Sequence, residues 1–570
     1  MYYAGLDVSE MPSLLAQFRD SQVAHDLTFF VSKLSHVVLC LAGIALLEGN
    51  RCLPGPPRAD IWQRAWPWIE FLGSYRDALP PLPALSTIDP LSVVDVLARD
   101  NQNTAALIRD TQGFRIFLFR AWALSFDQAR LTPILPAFYI VCMFLQDLPL
   151  TITDEHHFEE AIEGSGGSTT HLARLAVSHI KCVVQPSVIS VGVVSMRSVV
   201  SLLQARCEVD TSFRKILIDE GVVAALTSSA CRLSSPPFDA QNQYFFLSWA
   251  VRYYLRTPFG HNTFIQALRA GLLRAILTWG RMNLTQPQTL WQLDNVLETL
   301  SMSLVFLSVL LQLRTAVTEL GIPIDEHTFR GFAISAKWED FWRLLQSRWA
   351  LMDMHLKREK GTVKSACSNA TCCLIAPKSE LKCCSGCTEC IYCSKECQKL
   401  DWHHGGHRAM CNNPVPDNSV TRRDTSFLRA LLNDDYSKLK HCILMKELAY
   451  LRSNPGTEFY IRFDYCTPCG PCTVSIEAVR SFELATDMWH WHTKQARESG
   501  GRMQIHVMRI ADGGCDAIWI FRLYSATAER REGVRALAAQ IAVGEGHEQE
   551  QMDSAKIKCL AEVDVVEVHA

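Results

Sequence analysis

The chain has 570 residues, 48 % of them hydrophobic and 20 % charged, with a formal net charge of −3. That is globular composition, about three or four domains' worth of it. The near-neutral balance gives no electrostatic footprint of a nucleic-acid or acidic-membrane partner.

The opening stretch, MYYAGLDVSEMPS, has neither a basic n-region nor an apolar h-region, so no secretory signal is expected there. The longest apolar runs, VVLCLAGIALL from Val37 and LVFLSVLLQL from Leu304, fall short of the roughly 18 residues of a membrane span and are expected as buried helices. The expected location is intracellular, cytoplasmic or nuclear, where clustered thiols point to metal before disulfides.

Residues 1–350 are mainly helical in pattern, with loop signals at LPGPPRAD (from Leu53), LPPLPALSTIDP (from Leu79) and EGSGGSTT (from Glu163). Three segments echo one another, beginning at Gly113, Ser212 and Thr263. The last two share a Phe, an apolar helix, a Gly (Gly221, Gly271) and a fresh apolar helix, and those glycines lie 50 positions apart. Helix, glycine stop and helix at a fixed period suggest an armadillo- or HEAT-like solenoid, although those repeats run to about 40–47 residues; the other reading is an irregular helical domain. DEHHFEE (from Asp154) lacks metalloprotease spacing and reads as a solvated loop or helix start, and the stripe Phe246, Trp249, Tyr253 reads as core. A basic helix, RWALMDMHLKREK from Arg348, leads to the cysteine-rich segment 366–412. After a polar linker, residues 420–570 read as a small α+β domain. It should hold a helix from Ser426 to about Leu451, strands from Glu458, Cys472, Met503 and Asp516, and a helix at AERREGVRALAAQIAV. A polar hinge, GEGHEQEQMD, and a last strand at LAEVDVVEV complete it.

Residues 367–411 hold ten of the chain's 22 cysteines. Zinc takes four tetrahedral ligands, and pairs two to four residues apart can clasp one ion. Four such pairs occur: Cys367 with Cys372, Cys384 with Cys387, Cys393 with Cys397, and His407 with Cys411. The last two pairs are spaced to share a helix face. Spacing alone leaves open which pair joins which, and Cys373 remains an alternative to Cys372, as does Cys383 to Cys384. His403 and His404 stand too far from Cys411 to share one turn with it.

The stretch resembles a MYND-type zinc finger, carried by Tyr392-Cys393, Cys397-Gln398, Asp401-Trp402 and the closing His407 to Cys411. It covers about 45 residues and so identifies a module. The resemblance implies two interleaved zinc ions, one held by Cys367, Cys372, Cys393 and Cys397, the other by Cys384, Cys387, His407 and Cys411. It also implies a protein-binding role towards short, proline-rich peptides. Gln398 and Trp402, expected one turn apart on the segment's helix, are the candidate contact surface; the other reading is that Trp402 only packs the small core. Closed four-ligand sites leave no metal position for a reacting water, so the metal is expected to be structural. Lys378, Lys382, Lys395, Lys399 and Arg408 are balanced by thiolates and by Glu380, Glu389, Glu396 and Asp401, which argues against phosphate binding.

No enzyme signature is present. CTPCGPC (Cys466, Cys469, Cys472) has redox-like spacing but falls between strands, where no helix dipole lowers a thiol pKa, and reads as a hairpin loop with exposed thiols. The alternative class, an enzyme such as a SET-type lysine methyltransferase, would carry an Asn-His pair after the finger; the chain has none. The expected protein is thus a non-enzymatic adaptor or regulator, binding two zinc ions and protein ligands but neither nucleic acid nor membrane.

Overall fold

The structure is a computed structural model that describes residues 27–49, 58–75, 90–99, 102–129, 152–182, 189–233, 253–257, 260–281, 287–357, 363–387, 389–411, 420–482, 486–540 and 547–569, with a few isolated positions besides. Phe246, Trp249 and the stretches 79–89 and 412–419 lie outside the described residues. No described helix is long and apolar enough to cross a membrane. The chain divides into two compact units, Met1–Ala250 and Val251–Ala570.

Among the described residues the first unit is helical: α1 (Leu27–Gly49), α2 (Arg58–Ser74), α3 (Pro90–Ala98), α4 (Gln102–Asp110), α5 (Phe114–Ala129), α6 (Glu155–Ser165), α7 (Thr169–Cys182), α8 (Ile189–Val209), α9 (Thr211–Asp219) and α10 (Val222–Leu233). Asp154 caps α6 by accepting from the His157 amide, so DEHHFEE is a helix start. The apolar run from Val37 lies in α1 but is not wholly buried: Leu39 and Leu46 are exposed. Gly221 turns the chain from α9 to α10 at φ +90, where a side chain would be strained. In the second unit Gly271 does the same between α11 (Gly260–Arg269) and α12 (Leu272–Gly280).

The second unit continues with α13 (Pro287–Met302), α14 (Leu307–Leu320) and α15 (Ser335–Lys357). The run from Leu304 is therefore not one helix; a 3-10 turn and extended Phe306 interrupt it. The cysteine-rich segment follows, and then α18 (Arg422–Ser453), preceded by two short helices described below. A five-stranded sheet closes the chain: β5 (Phe459–Asp464), β6 (Thr473–Ala478), β7 (Met503–Asp512), β8 (Cys515–Ser525) and β9 (Glu567–His569), in the order β6-β5-β7-β8-β9. Only the β5–β7 pair is parallel, and its crossover carries α19 (Asp487–Glu498). Helices α20 (Glu529–Ala539) and α21 (His547–Glu562) complete it. Where the polar composition of GEGHEQEQMD suggests a hinge, residues from His547 onward are helical, and α21 buries Ile557 against Leu444, Leu448, Val534 and Leu537.

Strand alternation sets the two faces of the sheet. Met503, Ile505 and Val507 join Tyr460, Tyr524, Phe482 and Trp489 in one core, which also takes in Ala366 and Cys373 of the cysteine-rich segment. Gln504 and His506 fall on the opposite face, where Tyr436 of α18 packs on the His506 ring. These polar side chains are buried and hydrogen-bonded in series: Gln504 to Glu447, His506 to Gln504, and His569 to His506 at 2.8 Å. Burying such groups is tolerable only when each finds a partner.

Candidate metal centre

Short local elements carry the cysteines: β1 (Lys364–Ala366) pairs with β2 (Ile375–Pro377), and β3 (Lys382–Cys383) with β4 (Ile391–Tyr392). Helix α16 (Lys395–Leu400) is capped by Ser394, whose hydroxyl accepts from the Cys397 amide. Cys393 therefore lies on the extended chain just ahead of the cap rather than on a shared helix face, and Cys397 in the first turn. A π turn over Asp401–Gly405 leads to α17 (His407–Cys411), which places His407 and Cys411 on one face. The first cysteine loop is tied to β4 by Ser368, whose amide donates to the Ile391 carbonyl and whose hydroxyl accepts from the Ile391 amide.

That tie brings the pairs together out of chain order. Cys367, Cys372, Cys393 and Cys397 form one group; Cys384, Cys387, His407 and Cys411 form the other; in each, the ligand atoms all lie within 4.8 Å of one another. Sulfurs of Cys372 and Cys393 are 3.7 Å apart, Cys393 and Cys397 3.5 Å, Cys384 and Cys411 3.8 Å. His407 Nε2 stands 3.4 Å from the Cys384 sulfur and 3.9 Å from that of Cys387. Metal–sulfur bonds near 2.3 Å in a tetrahedron give edges of about 3.8 Å, so each donor set fits one ion. Gly386 is required for this closure, because a Cβ there would stand 2.6 Å from the Cys411 sulfur.

Four of the thiols, Cys367, Cys387, Cys393 and Cys411, are hard to ionise without a cation. Burial raises Cys367 far above the usual thiol range and pushes Cys393 and Cys411 up to about 11. A hydrogen bond with Cys390, together with burial, pushes Cys387 up to about 12. Cys384 and Cys397 move down despite burial, through hydrogen bonds led by His407 and Asn369 respectively. A bound metal must therefore displace protons, and its affinity falls with acidity.

The remaining cysteines have other places. Cys373 turns into the sheet core at φ +47 and donates to the Ala370 carbonyl. Cys383 is exposed and Cys390 buried beside Cys387 and Arg522. His403 and His404 are exposed on the π turn, whereas His407 is fully buried. Cys466, Cys469 and Cys472 sit in the β5–β6 hairpin, half-buried rather than exposed. Burial pushes Cys466 and Cys472 up to about 12, the opposite of a redox-active thiolate.

The centre is built into the sheet. Buried Asp401 accepts from Tyr392 Oη at 2.6 Å and from Gln495 Nε2 at 2.9 Å. Gln495 and Trp491 of α19 both donate to the Gly405 carbonyl, and Lys494 donates to that of His404. Arg502 donates to the carbonyls of Thr371 and Cys372. Buried Arg522 lies over the Trp491 ring, with Cys390 and Asp401 close by. Tyr392 and Asp401 belong to the motif visible in the sequence, but Trp491, Lys494, Gln495, Arg502 and Arg522 do not stand out there; the available signal was Thr486, whose hydroxyl caps α19 ahead of an Asp. Gln398 is half-buried on α16, and Trp402 packs edge-on against the His407 ring at 5.6 Å.

Neither a protein-family model nor a curated protein matches this chain.

Proposed function

We propose that the chain is a zinc-dependent, non-enzymatic interaction protein, cytoplasmic or nuclear, whose segment 366–412 works as a MYND-type finger. The observation that carries the reading is the pair of closed four-ligand groups, one of four cysteines and one of three cysteines with a histidine, formed from interleaved pairs. Thiolate-rich, closed donor sets of this kind are those of structural zinc. Gln398 and Trp402 are the candidate peptide surface, and the exposed Leu400 between them extends it. An extended proline-rich peptide loses little entropy on docking to such a shallow aromatic surface. The armadillo-like reading of the helical region would add a second, scaffold-like surface.

Elemental analysis of the purified chain should find two zinc ions, and fluorescence titration with a panel of proline-rich peptides should find saturable binding. Trp402→Ala should abolish that binding while zinc stays bound. Loss of zinc instead would place Trp402 in the metal core through its contact with His407, and overturn its role as a surface residue. One zinc or none would overturn the two-site reading.

A further inference from the structure

Between Asp239 and Asp294 the chain carries five arginines, Arg252, Arg256, Arg269, Arg274 and Arg281, and no carboxylate or lysine. In a chain of net charge −3 this is a local excess of positive charge. Two of the five line a cavity of about 430 Å³, together with Leu277, Thr278, Leu320 and Ile322. Helix α12 supplies Arg274, Leu277 and Thr278, with Arg281 just past its end; the C-terminal end of α14 supplies the aliphatic wall.

Three features of this groove point to an anionic apolar ligand. Both arginines are exposed, and neither is in an ion pair among the described residues. Arg274 occupies the first turn of α12, where a cation opposes the helix dipole, and Gly271 ahead of it provides no side-chain cap. Neither a capping side chain nor an acidic residue in that turn offsets the placement, and an external carboxylate would. Between the charges, Ile322 is 43 % exposed on a wall otherwise made of leucine.

Arg274 and Arg281 are seven residues apart, about 10.5 Å along a helix and on one face of it. A second helix with carboxylates at i and i+7 has the same spacing, and its i+3 and i+4 positions then face the aliphatic wall. We propose that this groove is the docking site for an acidic amphipathic helix of a partner protein, distinct from the metal centre and independent of the finger reading. Such helix-in-groove recognition draws affinity from the apolar contact and register from the flanking charges.

The test is fluorescence anisotropy of a fluorescein-labelled helical probe peptide, Glu at i and i+7 and Leu at i+3 and i+4, titrated with the full chain. Binding should saturate and weaken as salt is raised. Arg274→Glu with Arg281→Glu should weaken it by about tenfold or more, and a probe with Lys in place of Glu should bind that double variant better than it binds the wild type. Ile322→Ser, which leaves the helices untouched, should weaken binding without changing the salt dependence. Circular dichroism checks that each variant is folded. The proposal is overturned if the wild-type chain does not bind the probe, if binding survives the double reversal, or if a single-stranded RNA oligonucleotide displaces the probe more effectively than unlabelled peptide.

Discussion

Replacing Tyr392 by Phe isolates one bond at the heart of the metal centre. The phenol donates to Asp401 at 2.6 Å, and both side chains are almost fully buried. Burial, with Cys390 and Asp401 nearby, raises the phenol far above its usual range, so it remains a donor at neutral pH. Phenylalanine keeps the ring packed among Cys367, Cys384 and Cys390 while leaving one Asp401 oxygen without its partner. A hydrogen bond to a charged group contributes about 1.5–3 kcal/mol. If the segment unfolds when the metal leaves, that energy appears in the metal affinity, as a weakening of about 10- to 150-fold. Competition against a chromophoric chelator of known affinity measures it directly. If α19 and Arg502 hold the metal-free segment folded, affinity changes little and the loss appears in thermal stability instead. Unchanged affinity together with unchanged stability would refute the account of Asp401 as the centre's buried anchor.

Gly405→Ala should loosen the segment from the sheet, since the new Cβ would meet Asp401 Oδ1 at 1.8 Å and Gln495 Nε2 at 2.8 Å. Hydrogen exchange should then rise in α19 and around 367–411, and unchanged protection would contradict the packing described. The buried histidine pair makes a pH prediction: burial, with the charge of Arg429, holds His569 down to about 3, and burial, with His569 and Arg531 beside it, holds His506 well below its usual range. Both stay neutral in the folded chain, so below about pH 6.5 the unfolded chain binds the extra protons, and stability falls by up to about 1.4 kcal/mol per pH unit for each. Glu447, raised by burial, works in the opposite sense as pH climbs past the usual carboxylate range. Denaturant unfolding at pH 7 and 5.5 should show a smaller pH-dependent loss for His569→Gln than for wild type, and equal losses would remove the pair from the acid response.

Local patterns were legible because short-range chemistry determines them. Metal-ligand pairs need spacings of two to four residues, α18 and the strands β5 to β8 follow hydrophobic periodicity, and glycines stop α9 and α11. Polar composition misled at His547, where helix α21 satisfies its backbone internally and needs few buried positions. Phe306 broke the apolar run from Leu304, and nothing in its hydropathy foretold that.

Pairing across distance is another matter. Spacing reads Cys393 with Cys397, but the meeting of that pair with Cys367 and Cys372 depends on Ser368 bonding to β4. Cys372 and Cys373 are equivalent in sequence; a left-handed turn at Cys373 sends one sulfur to the metal group and the other into the sheet core. The alternation of Gln504 and His506 along β7 would suit a solvent-facing side as well as a covered one, until α18 lies over it. The same holds for Asp401: its charge is visible in the chain, but that Tyr392 and Gln495 satisfy it is a consequence of packing. Covalent neighbours determine spacing, helix faces and turns; which faces meet, and so which buried charges and thiols find partners, is decided by the burial of the whole second unit.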